Sequence, residues 1–269
     1  MDRRQQKSLN HLDMRWISTT QGNQCQNLKA IVKFGVGTDN IDLKVCEELR
    51  IKVGRCLGTN SNAVAELTVG MMFACARDLV ANAITVKNGG WIKPTGFELK
   101  GKKLGIAGFG NIGKNVARMA KGIGMGILVY DVFDIPQNVL EEYSAVQTTM
   151  DQILKECDFI TLHVPLTDET KNMISTKEFD KMKPNAILIN AARGGIVDEK
   201  ALYEALKEHK IHSSASDVFT SEPPQGEDWV QELLKMDNFI QTAHIASRSK
   251  EAEINTVNEA TYQITELLK

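Results

Sequence analysis

Three residues late in the chain have side chains suited to work on one small anion: Arg193, Glu222 and His244. Arg193 stands in "NAARGGIVDE", directly after the apolar run of Ala186 to Ile189, so a core strand delivers a permanent cation to its tip. A guanidinium is a planar fork of donors that can hold a carboxylate and an adjacent carbonyl oxygen together. His244, in "QTAHIA" after "NFIQT", can give that oxygen a proton near neutral pH, or take one back. Glu222, in "DVFTSEPP", would orient the ring and favour its charged form. Singly, these residues read as a surface arginine, a structural histidine and a turn glutamate braced by Pro223 and Pro224. Together, after three consecutive predicted strands, they make an electrophile, an acid/base and its tuner. Hydride transfer to a 2-keto acid requires that set.

The elements that would position them begin at Lys102. "KKLGIAG" predicts a strand and "NIGKNVARMAKGIG" a helix ending at glycine. "GILVYD" predicts a strand, followed by an irregular segment and the short helix "DQILKEC". "DFITLHV" and "NAILINA" are strands around the helical "TKEFDKMK". "DEKALYEALKEHK" is a helix, and "HSSASDV" and "DNFIQTA" are short strands. Such alternation predicts a parallel sheet with helices on both faces and ligands at the carboxyl ends of the strands. Before it lies a smaller βα region, "LKAIVKFG", "NIDLKVCEEL" and "IKVGRC", onto which the closing amphipathic segment "KEAEINTVNEATYQITELLK" could return.

The expected fold class is therefore α/β: a doubly wound parallel sheet of Rossmann type, residues 60–244, for a dinucleotide. Residues 1–59 with 245–269 would form a second, smaller, flavodoxin-like substrate lobe. "GFGNIG" fills G-x-G-x-x-G with Gly108, Gly110 and Gly113, between a predicted strand and a predicted helix. Gly108 permits the tight turn, Gly110 lets backbone approach a pyrophosphate, and Gly113 lets helix and strand pack closely. Asp131, eighteen residues after Gly113, ends the next strand. Its carboxylate would accept from the adenosine ribose hydroxyls and repel a 2′-phosphate, so the cofactor expected is NAD rather than NADP.

Composition excludes much else. Lys and Arg number 32 against 34 Asp and Glu, a formal net charge of −2, with no basic block to favour nucleic acid or a membrane surface. The five cysteines are scattered and without C-x-x-C spacing, which favours reduced thiols in a cytosol over a disulfide framework or a zinc site. No His, Cys and carboxylate cluster has ligand spacing, so no metal is expected. The N-terminal stretch lacks the apolar core of a secretory signal. The nearly apolar run Ala63 to Ala76 is too short to span a membrane, and a homodimer contact is favoured for it over an intramolecular core.

Across "KFGVGTDNID", "GTNSNAVAELT", "GFGNIG", "HVPLTDET", "NAARGGIVDE", "DVFTSEP" and "AHIA", from about Leu28 onward, the chain resembles the NAD-dependent D-isomer-specific 2-hydroxyacid dehydrogenases, most like their phosphoglycerate dehydrogenase branch. The resemblance implies Arg193, Glu222 and His244 as the catalytic trio. It puts Ala191, Ala192 and Asp217 at the nicotinamide, Val164 and Pro165 at the adenosine, and Asn111 and Ile112 at the pyrophosphate. The backbone of Gly35, Val36 and Gly37 would help bind the substrate carboxylate, and the helix after Asn60 would make the dimer. The leading substrate pair is D-3-phosphoglycerate and 3-phosphohydroxypyruvate. Hydroxypyruvate, glyoxylate or another keto acid, and a non-catalytic NAD(H)-sensing homologue, are the alternatives. A formate enzyme fits less well, since that pattern has glutamine in place of Glu222.

The sequence also departs from the family pattern. Ala243 precedes the histidine where proline is usual, loosening the approach to the ring. Lys33 stands where the branch often places arginine, able to meet a phosphate as a point charge. Residues 1–27 are polar, with only "MRWISTT" strand-like, so the small lobe reads as lacking its first strand and helix. No C-terminal regulatory extension is expected.

Overall fold

Alternation along two neighbouring strands shows how the larger sheet is built. In Phe159–Leu162 (β6) and Ile187–Asn190 (β7), Ile160, Leu162 and Leu188 join one core while Phe159, Ile187 and Ile189 join another. Side chains of period two thus fill a layer on each face, as a sheet covered on both sides requires. The remaining strands are Lys103–Ala107 (β3), Gly126–Tyr130 (β4), Ala145–Gln147 (β5), Ser213–Ser216 (β8) and Phe239–Gln241 (β9). All pair in parallel in the order β5-β4-β3-β6-β7-β8-β9, so the winding reverses between β3 and β6. This is the doubly wound Rossmann arrangement, with its ligand crevice at the reversal point.

The computed structural model describes residues 28–38 and 41–269. They pack as two compact units: the described residues up to Asn60 with Lys250–Lys269, and Ser61–Ser249. The expected strand-like "MRWISTT", and the reading of a missing first strand and helix, fall outside the described residues.

In the smaller unit, Ala30–Lys33 (β1) and Lys52–Arg55 (β2) pair in parallel. Between them runs Leu43–Glu48 (α1), whose first turn is capped by the Asp42 carboxylate, accepting from the Lys44 and Val45 amides. The closing helix Lys250–Leu267 (α10) packs on both strands. It lies so close that a Cβ at Gly54 would stand 3.0 Å from Leu267 Cδ1, while Lys52 Nζ donates to the Leu267 carbonyl at 2.6 Å.

In the larger unit, Ser61–Ala76 (α2) packs on Asn111–Ile123 (α4) and on β7 and β8, and bends 64° into Leu79–Lys87 (α3). Val64, Ala65, Thr68, Met71, Met72, Cys75 and Ala76 are buried within this chain. The apolar run is thus largely committed to an intramolecular core, where its composition alone favours a contact between copies. By contrast α3 buries nothing, and Leu79, Val80, Ile84 and Val86 stand exposed, as does Phe73 on α2. No single helix among the described residues is long and apolar enough to cross a membrane.

The segment read as irregular after β4 contains Gln137–Tyr143 (α5) and the edge strand β5. Three residues, one of them the exposed Val146, carry too little periodicity to be seen in sequence. The other helices of this unit are Met150–Glu156 (α6), Thr176–Phe179 (α7), Glu199–Lys207 (α8) and Asp228–Leu233 (α9).

Candidate active site

At the winding reversal the three motif glycines meet three different constraints. A Cβ at Gly108 (φ +94°) would stand 2.6 Å from the His163 carbonyl oxygen, where β3 and β6 separate. A Cβ at Gly113 would stand 2.2 Å from the Gly108 carbonyl oxygen, so only glycine lets α4 sit this close to the turn. A Cβ at Gly110 would meet no other part of the described residues within 4 Å, so the space there is open. The first helical hydrogen bond runs from the Lys114 amide to the Gly110 carbonyl. The Asn111, Ile112 and Gly113 amides precede it, and Gly110 has no side chain to cap them. Open space, amides at a helix N-terminus and their positive end of the helix dipole fit a pyrophosphate.

Asp131 is aimed at the same turn. One carboxylate oxygen accepts from the Phe109 amide at 2.8 Å, the other from the Phe133 amide at 3.2 Å. Its remaining lone pairs suit ribose hydroxyls. Val164 and Pro165 follow β6, Val164 packing against the core and Pro165 exposed. The residues present fit NAD.

The three polar residues lie at the carboxyl ends of adjacent strands. After β7, Asn190 shapes the arginine loop: its Oδ1 accepts from the Ala192 amide at 3.1 Å and its Nδ2 donates to the Arg193 carbonyl at 3.0 Å. Ala191 and Ala192 are buried there. Arg193 Nη1 donates to the Ala192 carbonyl at 2.7 Å. After β8, the Glu222 loop is tied back by Glu199, which accepts from the Thr220 amide and hydroxyl at 2.6 and 2.9 Å. The two loops press together at Gly194, where a Cβ would come 2.1 Å from the Phe219 carbonyl. After β9, His244 Nδ1 lies 2.9 and 3.1 Å from the two Glu222 carboxylate oxygens, both side chains being roughly two-fifths exposed. The His244 imidazole, the Glu222 carboxylate and the loop carrying Arg193 are therefore contiguous.

Asp217 is fully buried, and its carboxylate is turned to the segment carrying His244 rather than left open. Lys33, Gly35, Val36 and Gly37 belong to the smaller unit, at the carboxyl end of β1. Gly35 (φ +134°) there accepts from the Cys56 amide at 3.0 Å. Lys33 is the register partner of Arg55, so two cations stand side by side at the ends of β1 and β2. Sequence reasoning does not single out Arg55, Asn190, Gly194 or Glu199. Only Gly194 leaves a trace there, as the first glycine after Arg193.

The fold defines a class, a dinucleotide-binding protein of Rossmann type whose strand ends carry a contacting Glu222–His244 pair. Residues 69–246 match the family model described as D-isomer specific 2-hydroxyacid dehydrogenase, NAD binding domain. The chain is 43% identical over 230 residues to a hydroxypyruvate reductase of Thermotoga maritima, covering 85% of this chain and 74% of that one. It is 42% identical over 249 residues to a D-3-phosphoglycerate dehydrogenase of Methanocaldococcus jannaschii, covering 91% of this chain and 47% of the relative's length. A solved D-lactate dehydrogenase from Aquifex aeolicus, complexed with NAD and lactic acid, superposes with a TM-score of 0.85 at 31% identity, over 94% of this chain and 80% of that one. The chain belongs to the NAD-dependent D-isomer-specific 2-hydroxyacid dehydrogenase family.

Gly194→Ala should separate the Arg193 and Glu222 loops and lower turnover by about 10²-fold, with NADH binding, followed by fluorescence titration, little changed. His163 has both ring nitrogens sealed from solvent with no hydrogen-bond partner among the described residues, and burial pushes its pKa from 6.5 down to about 4. Between those values the unfolded chain holds a proton that the folded chain does not, so stability falls as pH drops through the window. Urea midpoints at about pH 7 and about pH 5 should differ less in His163→Gln than in the parent chain.

Proposed function

We propose that the protein reduces a small 2-keto acid to its D-2-hydroxy acid, and runs the reverse oxidation, with NAD(H). The observation that carries this reading is the Glu222–His244 pair, 2.9 Å apart and adjoining the Arg193 loop. NAD(H) held at the Gly108–Gly113 turn and Asp131 would supply hydride chemistry at the substrate's C2, in either direction. Arg193 holds the carboxylate and polarises the neighbouring carbonyl oxygen. His244 gives that oxygen a proton as C2 is reduced and takes it back in reverse. Glu222 keeps the ring oriented and balances its charge. A bare NAD-sensing module has no use for all three.

The substrate placed first is the D-3-phosphoglycerate and 3-phosphohydroxypyruvate pair, of serine biosynthesis. Its support is the adjacency of Lys33 and Arg55, a paired cationic end suited to a phosphate, beside the Gly35–Gly37 backbone. Hydroxypyruvate or glyoxylate is the second reading, favoured by the greater share of the Thermotoga hydroxypyruvate reductase that the chain covers. The four described cysteines are buried and free, in keeping with a reducing, cytoplasmic setting. A homodimer through α2 and α3 would cover Phe73, Leu79, Val80 and Ile84, and Trp91, which is 79% exposed.

NADH absorbance with a panel of phosphohydroxypyruvate, hydroxypyruvate, glyoxylate and pyruvate should show turnover, fastest on the phosphorylated acid. Arg193→Ala should lose at least about 10³-fold in kcat/KM while still binding NADH. Intact NAD-loaded protein inert toward every acid would sink the enzymatic reading. Sedimentation should give the mass of two chains, and Leu79→Glu with Ile84→Glu should give one.

A further inference from the structure

The loops that carry Arg193 and Glu222 leave different strands, yet one short segment reaches both. Residues 193–199 run from the arginine, past two glycines, to Glu199, the first residue of α8. Between its ends this segment is braced. The Gly195 carbonyl accepts from the Asn172 amide at 2.8 Å and the Ile196 carbonyl from the Ile174 amide at 3.3 Å. The Asp198 amide donates to the Ile174 carbonyl at 2.9 Å, while Val197 makes a parallel bridge with Ile174. Ile196 and Val197 are buried. One Asp198 oxygen caps α8, accepting from the Lys200 and Ala201 amides, and the other accepts from the Ser175 hydroxyl at 3.1 Å. Little slack is left between Arg193 and Glu199.

From the braced end, the Glu199 side chain crosses to the loop after β8. Its Oε1 alone accepts from both the Thr220 amide at 2.6 Å and the Thr220 hydroxyl at 2.9 Å. Thr220 lies inside the turn 219–222, which closes where Glu222 Oε1 accepts from the Phe219 amide at 3.1 Å. The same Glu222 carboxylate meets His244 Nδ1 with both oxygens. On the arginine side the turn abuts Gly194, where a Cβ would stand 2.5 Å from the Thr220 nitrogen. Packing at Gly194 limits how near the two loops come, and the Glu199 oxygen keeps the turn from drifting away.

We infer that Glu199 is a positioning residue: it ties the 219–222 turn to the braced arginine segment, and so fixes where Glu222 meets His244. This rests on the dehydrogenase reading and adds to it a residue that acts through Glu222. The duty needs an acceptor rather than a charge, since one oxygen takes both bonds. Gln keeps such an oxygen and Ala removes it. With Ala the Thr220 amide and hydroxyl turn to water, and the turn that aims Glu222 is released.

The test compares Glu199→Ala, Glu199→Gln and Thr220→Val with the parent chain, each loaded with NADH. Keto-acid kinetics, NADH titration and amide exchange at Thr220 are measured on each. Glu199→Ala should lower kcat by at least about tenfold with the NADH dissociation constant within about threefold, since a small misplacement of Glu222 costs turnover rather than cofactor affinity. Glu199→Gln should stay within about threefold of the parent in kcat, because it keeps the accepting oxygen. Thr220→Val, which loses the hydroxyl and keeps the amide, should fall between Ala and the parent. A general loosening of the fold would add its loss to that of any other lesion. Glu199→Ala placed on Glu222→Ala should instead lower single-turnover rates by no more than about twofold further. Parent-like kcat in Glu199→Ala would overturn the inference, as would a Gln variant as slow as the Ala variant or an undiminished loss on Glu222→Ala. The Thr220 amide should be protected in the parent, and rapid exchange there would overturn the inference even if Glu199→Ala does not fold. A parent inert toward every keto acid sinks the dehydrogenase reading itself, whereas an active parent matched by Glu199→Ala sinks this inference alone.

Discussion

Every strand of the larger sheet runs the same way, so every loop that leaves a carboxyl end arrives at the same edge. That single directional constraint assembles the site. In a parallel ladder, neighbouring strands start and stop in near register, as Ile187 with Ser213 and Ser214 with Phe239 do. The residues just past β7, β8 and β9 therefore lie beside one another, although their positions in the chain run from 193 to 244. Helices on both faces close the sheet away from water, leaving that edge as the place where polar side chains and exposed amides gather.

Edge loops with unpaired backbone groups need partners of their own, and here short polar side chains provide them. Asn190 serves the arginine loop, Glu199 the glutamate loop and Asp217 the histidine turn. Each sits where a regular element ends and its hydrogen-bond ladder gives out. The loops also touch directly at Gly194, so a displacement in one is felt in the next. The same principle governs the cofactor end, where the α4 amides stay uncapped because Gly110 offers no side chain.

The smaller unit follows a plainer logic. Two parallel strands cannot form a stable core alone, and α10 covers them from the far end of the chain, with Gly54 making room for Leu267. The register of β1 and β2 leaves Lys33 and Arg55 together at their carboxyl ends, the edge to which the glycine-rich Gly35–Gly37 backbone also belongs.

Much of this is legible in the order of the amino acids alone. The strand, the G-x-G-x-x-G turn and the helix behind it follow from local periodicity and from glycine's backbone freedom, both written in short windows of sequence. Arg193, Glu222 and His244 are visible because each follows a segment that reads as a strand. The family is legible because seven motifs occur in one order. Strand β5 is not, because three residues at a sheet edge carry no period. The direction of Asp217, the contact at Gly194, the pairing of Lys33 with Arg55 and the commitment of α2 to its own core are decided only by tertiary structure. Each depends on atoms that meet across long stretches of chain, as Asp217 meets Ile245 across 28 residues. A sequence names the groups able to make such contacts; the fold's register and packing select which of them do.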